Sequence, residues 1–147
     1  MELTSPAFEN DETIPARYTC DGENISPPFE IVDIPDHTKS FAMTMIDPDA
    51  PNGTFIHWTL WNISPITTFI EEDAAPPEAI QGKNSAGQSK YMGPCPPQGA
   101  EHRYVFTLYA LDTAIHLAED AAIEKLEAYI ENHNLAEAEL IGRYGRT

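Results

Sequence analysis

Two short segments of the 147-residue chain hold most of the side chains that could do chemistry. In DPDAPNGTFIHW, residues 47–58, Asp47 and Asp49 bracket Pro48, Pro51 follows, and Asn52-Gly53 is a strong turn signal. His57 stands ten residues after Asp47, inside an apolar run that begins at Phe55. In GPCPPQGAEHRY, residues 93–104, three prolines and two glycines surround Cys95 and lead into His102, Arg103 and Tyr104. Two imidazoles and a phenol can donate hydrogen bonds to an oxyanion, and carboxylates beside imidazoles orient them and favour their protonated form. Two other chemistries use the same groups. Cys95 beside His57 or His102 would make the nucleophile–base pair of a hydrolase, and the aspartates and histidines could together hold a metal. Prolines on both sides of Cys95 leave no helix N-terminus to lower its pKa, which weighs against an activated thiolate.

Each residue also has a structural reading. Asp47 and Asp49 can cap turns through their own backbone. A histidine within a strand is more often a hydrogen-bonded core residue than a ligand contact, and Arg103 reads more readily as the buried partner of an aspartate. The functional reading rests on coincidence: two histidines, two aspartates and a tyrosine fall in two proline-stiffened segments.

Those segments must be positioned by strands. SFAMTMI (40–46), FIHWTLWNI (55–63) and RYVFTLYALD (103–112) alternate with period two and are apolar on both faces, as central strands covered on both sides would be. In the second, strict alternation puts Phe55, His57, Thr59 and Trp61 on one face and Ile56, Trp58 and Leu60 on the other. His102 and Tyr104 should share a face for the same reason. PFEIVDI (28–34) reads as a fourth strand. Thirteen prolines, nearly double the usual ~5%, imply short strands and structured loops elsewhere. The excursion between the second and third strands is too long to be structureless and would serve as a binding-site wall. The helical signal comes late: Ala122, Ile123, Leu126, Tyr129 and Ile130 form one apolar stripe, with Asp120 as N-cap, and LAEAEL (135–140) reads as a second short helix. Strands followed by terminal helices predict a β-rich α+β domain spanning 1–147.

The formal charge of −16, from 24 acidic and 8 basic residues, disfavours nucleic acid and anionic lipid surfaces as partners. The acids read as a solvated surface, with a docking face for a basic partner as the alternative. No run of apolar residues is long enough for a membrane span, and MELTSPAFENDETIP lacks the basic start and apolar stretch of a signal peptide, so a cytoplasmic location is expected. No cofactor is implied. Cys20 and Cys95 fit no zinc spacing; both sit in turn-rich segments, where they could meet in space or remain unrelated thiols.

SPAF, IPARYTCDGENISPP, DPDAPNGTFIHWTLWNI, GKNSAGQSKYMGPCPPQGAEHRYVFTLYALD and LAEAELIGRYGR together resemble the phosphatidylethanolamine-binding protein family, which includes the Raf kinase inhibitor protein. The likeness is to its small bacterial and archaeal branch and runs nearly end to end. It implies a large central antiparallel sheet with a smaller sheet on one side and helices on the other. It also implies a small pocket at the sheet's end that binds anions such as phosphate, sulfate or acetate and phosphoethanolamine head groups. By resemblance the pocket maps onto Asp47, Asp49, Pro51, Phe55, His57, Cys95, Pro96, Pro97, His102 and Tyr104, with a cis Ala50–Pro51 bond as an option. Animal members often carry tryptophan where Phe55 stands and glycine where Cys95 stands, so Cys95 narrows the mouth and adds a thiol. Kinase regulation and protease inhibition are reported of relatives, but no inhibitory loop is recognisable here. The expected function is binding of a small anion or phosphorylated head group, with modulation of a partner protein such as a kinase or protease. A hydrolase using Cys95 with His57 or His102 is the alternative.

Overall fold

The structure is a computed structural model that describes residues 1–147. Its centre is a trio of strands: β4 (Ser40–Asp47), β5 (Phe55–Ile63) and β8 (Glu101–Leu111). All three were expected from their alternation. Strand β4 lies between the other two, antiparallel to both. The sheet is completed by β2 (Glu12–Thr13), β7 (Ile80–Gln81) and β9 (Asn134–Gly145), giving the order β2-β9-β8-β4-β5-β7. Only the β2–β9 pair is parallel. A smaller sheet of β1 (Glu2–Thr4), β3 (Phe29–Val32) and β6 (Phe69–Ile70) covers one face. The long excursion is ordered, lending β6 to the small sheet and β7 to the edge of the large one.

The core lies between the two sheets. Phe29, Ile31 and Ile70 of the small sheet meet Met43, Met45, Phe106 and Leu108 of the large one, and the rings of Phe29 and Phe106 are 5.1 Å apart. A second, smaller cluster on the far face joins Ala42, Trp61 and Leu111 to Leu126 of α1 (Ile123–His133). The sheet is therefore covered on both sides, which is why its central strands are apolar throughout.

The C-terminal region departs from expectation. There is one helix, and it starts at Ile123 after an extended Ala122 that makes no side-chain cap. Asp120 lies upstream in a turn and is not the cap; the helix begins where Ile123 and Leu126 first reach the far-face cluster. Residues 135–140 are not helical but belong to β9, which pairs with β8 along almost its whole length. Alanine and glutamate favour helices, yet Ala136, Ala138 and Leu140 alternate with Glu137 and Glu139. That alternation turns one face of β9 to the core, and the ladder with β8 overrides local propensity. Every peptide bond is trans, including Ala50–Pro51, which therefore keeps the isomer that is intrinsically preferred even before proline.

Gly142 marks a tight place in this arrangement. A Cβ at this position would lie 2.4 Å from Ile14 Cγ1 and 2.9 Å from Phe8 Cε2. Gly142→Ala should therefore overpack the junction of β9 with the N-terminal segment and cost about 1–3 kcal/mol. A lowered urea midpoint with an unchanged slope would report this.

Candidate functional site

Strand β4 ends at Asp47, β5 begins at Phe55 and β8 begins at Glu101, so three strands present their ends at one edge of the sheet. The hairpin 48–54 closes above them, its turn made by Gly53 at φ 100°. The pairing Met45↔Trp58 followed by Ile46↔Ile56 leaves His57 as an extra residue on β5, a β-bulge. The bulge breaks the alternation expected from sequence. Trp58 packs into the inter-sheet core, and His57 turns to the same side, its ring 5.2 Å from that of Tyr104. Ile56 faces the helix side instead, near Ile123 and Ile130.

The result is a cavity of about 210 Å3 lined by Asp47, Ala50, Pro51, Phe55, His57, Met92, Gly93, Cys95, Pro96, Pro97, His102 and Tyr104. Nine of the ten candidate residues lie on it. Asp49 does not: its carboxylate faces outward and grips Arg103, accepting from Nε at 2.9 Å, Nη2 at 2.8 Å and the backbone N–H at 2.9 Å. It orients no histidine. Arg103 is thus the structural partner of an aspartate, as its sequence setting suggested, though at the surface. This forked pairing holds the Asp49 carboxyl down at about 2.

Asp47 is only 3% exposed, yet its two oxygens are satisfied: Oδ1 accepts the Asp49 backbone N–H at 2.8 Å and Oδ2 pairs with His102 Nδ1 at 2.7 Å. His57, 5% exposed, donates from Nδ1 to the Met92 carbonyl at 2.6 Å. In each ring this commits Nδ1 and leaves Nε2 as the nitrogen available to the cavity. Burial pushes the His57 pKa down, outweighing the upward pull of the Met92 hydrogen bond and the Asp47 charge. The expectation that nearby aspartates would raise its proton affinity is therefore corrected: desolvation dominates. Burial, helped by Asp47 and Asp49, pushes the Tyr104 phenol well up, so it remains a donor.

Sequence reasoning missed the support of the far wall. Residues 91–97 are held against the 15–24 segment by Gly93 N–H donating to Asn24 Oδ1 at 3.0 Å, Cys20 N–H to the Pro94 carbonyl at 3.1 Å and Tyr91 Oη to the Tyr18 carbonyl at 2.7 Å. Contact here is so close that a Cβ on Gly93 would lie 2.2 Å from Asn24 Oδ1. Cys20 and Cys95 form a disulfide across the same seam, with Cα atoms 5.4 Å apart. Two cysteines in turn-rich segments were the visible signal. The bond overturns the hydrolase alternative in its original form, because Cys95 has no free thiol to act as nucleophile. No group of three or more His, Cys, Asp or Glu side chains is placed to hold a metal ion.

Comparison with known proteins places this architecture. The family model for phosphatidylethanolamine-binding proteins matches residues 4–145, and the chain belongs to that family. Among curated relatives it is 46% identical to a UPF0098 protein of Methanothermobacter thermautotrophicus, with 99% of both chains covered. It is 45% identical to one of Chlamydia muridarum, with 98% of each covered. Among solved structures, a putative phosphatidylethanolamine-binding protein homologue from Chlamydia trachomatis superposes with a TM-score of 0.94 at 40% identity, over 99% of this chain and 97% of that one. YbcL of E. coli, described as a new member of the mammalian family, gives 0.92 at 31% identity, over 99% and 98%. No helix is long and apolar enough to cross a membrane.

The Asp49–Arg103 clamp has a measurable signature. Because the folded pKa of Asp49 lies below its unfolded value, the stability it contributes is present above pH ~4 and is lost as pH falls toward 2. An NMR titration of the Asp49 carboxyl carbon should give a midpoint near 2, rising in Arg103→Gln only part of the way to the ordinary aspartate range, because the backbone N–H at position 103 still donates to the carboxylate.

Proposed function

We propose that the cavity binds a small oxyanion or a phosphorylated head group, and that the protein acts through binding rather than turnover. The observation that carries this reading is the tautomer arrangement. Both imidazoles spend Nδ1 on a protein oxygen, so Nε2 of His57, Nε2 of His102 and the Tyr104 hydroxyl remain for a ligand. Phe55, Pro51, Met92, Pro96 and Pro97 supply apolar walls that would accept a short organic arm. At about 210 Å3 the cavity falls below the ~300–1,000 Å3 usual for drug-sized ligands, which favours a tetrahedral anion with little attached. Family membership supports the same reading, and the name of the family points to a phosphorylated head group.

Electrostatics make the binding proton-linked. Burial pushes the His57 pKa down and so favours its neutral ring. A bound anion would supply the missing counter-charge and raise its pKa, so binding takes up a proton and strengthens as pH falls between the bound and free values. The net charge of −16 opposes anion approach at long range, so moderate added salt should not weaken binding and should raise the on-rate.

Sulfate is the clean probe, because it does not itself titrate near neutrality. Calorimetric titration should show tighter sulfate binding at pH 5.5 than at pH 7.5, with proton uptake visible as a dependence of the heat on the buffer's ionisation enthalpy. His57→Ala should lose about 10- to 100-fold in affinity, the worth of one charge-assisted hydrogen bond. Tyr104→Phe, which keeps the ring, should lose less. Binding that is unchanged in both variants and flat with pH would sink the reading.

A further inference from the structure

The Cys20–Cys95 bond lies on the surface, and its two ends sit in different electrostatic settings. Both cysteines are exposed. Cys95 Sγ receives a hydrogen bond from the Arg146 guanidinium, with Nη1 at 3.8 Å, and the same Nη1 donates to the Pro96 carbonyl at 3.4 Å. Asp21 steadies that guanidinium from the other side, Oδ1 to Nε at 3.4 Å, while its Oδ2 accepts from the Tyr144 hydroxyl. Cys20 receives no comparable bond. Its own loop carries Asp21 and Glu23, and the nearby Arg17 is engaged with Glu23 and Glu72. A thiolate is therefore better stabilised at position 95 than at position 20.

We propose that this bond is a site of thiol–disulfide exchange with a fixed polarity, in which an incoming thiolate attacks Sγ of Cys20 and Cys95 leaves. The sulfur whose developing negative charge is better stabilised is the better leaving group, and the Arg146 guanidinium lies against Sγ of Cys95. The co-reactant is a dithiol able to reach an exposed sulfur. Its first thiolate forms a bond to Cys20 Sγ, the S–S bond breaks, and the electron pair departs on Cys95 Sγ beside the guanidinium. Its second thiolate then attacks the first sulfur and expels Cys20 as a thiolate, which takes a proton from solvent. The protein disulfide gains two electrons, and the dithiol becomes a disulfide.

The surroundings also make the exchange reversible. The Cys20 N–H bond to the Pro94 carbonyl and the Gly93 N–H bond to Asn24 do not depend on the sulfur link. They keep the two segments in register after cleavage, so the thiols stay poised to re-form the bond. Because Cys95 lines the cavity, exchange alters the chemistry of its rim by one thiolate. The exchange itself does not rest on what the cavity binds.

Reduced glutathione, a monothiol that stops at the first step, tests the polarity. The folded, oxidised protein would be mixed with glutathione at neutral pH, trapped with N-ethylmaleimide and mapped by peptide mass spectrometry. Glutathione should be found on Cys20 and maleimide on Cys95, in about tenfold excess over the reverse pattern. Arg146→Gln should slow the reaction and erase the bias, and Arg146→Lys should keep much of both. Each variant is compared with the unaltered protein by thermal melting. Adducts on Cys95, an even distribution, or cleavage only under denaturing conditions would overturn the proposal. So would an unchanged rate and bias in Arg146→Gln. The adduct pattern of the unaltered protein decides the matter even if a variant is unstable.

Discussion

A carboxylate buried at the end of a central strand is the constraint on which the site depends. Asp47 is withdrawn from water at the point where β4 stops, and an unpaired charge there would cost several kcal/mol. The chain meets that cost locally and at a distance. The backbone bends after Pro48 so that the Asp49 N–H reaches one oxygen, and β8 starts in a register that brings His102 to the other. Asp49, turned outward by the same bend, then catches Arg103 on the next strand. One buried carboxylate thus fixes the hairpin against β8 and sets the tautomer of the His102 imidazole.

The cavity's other imidazole is placed by backbone alone. A bulge turns His57 to the inter-sheet side, and the Met92 carbonyl holds it. The two histidines therefore differ in kind, one beside an acid and one beside a neutral dipole. This gives the cavity two imidazoles in different hydrogen-bonding settings within a protein whose overall charge is strongly negative. Local hydrogen bonding, not the long-range field, governs what such a pocket can hold.

Much of this was legible in the residues. The three central strands announced themselves by alternation, and the polar groups stranded at their ends marked the edge where the cavity lies. What escaped reading escaped for physical reasons. The bulge at His57 is a register event between two strands, and one strand's pattern cannot reveal it. Strand β9 was obscured because alanine and glutamate carry helix propensity that only the ladder with β8 overrides. Asp47 and Asp49 look alike two residues apart, yet one is buried and one is exposed, a distinction made by the bend between them. The covalent seam behind the wall depended on folding two segments 75 residues apart onto each other.

That seam also acts where no native contact exists. A crosslink spanning 75 residues of a 147-residue chain removes a large share of the conformations open to the denatured polypeptide. By loop-closure entropy this is worth about 4 kcal/mol, comparable to a substantial fraction of a small domain's net stability. The oxidised and reduced proteins can therefore hold the same backbone hydrogen bonds and still differ in how often they unfold. The chain's lifetime against proteolysis would then be set by the thiol balance of its surroundings as much as by its fold.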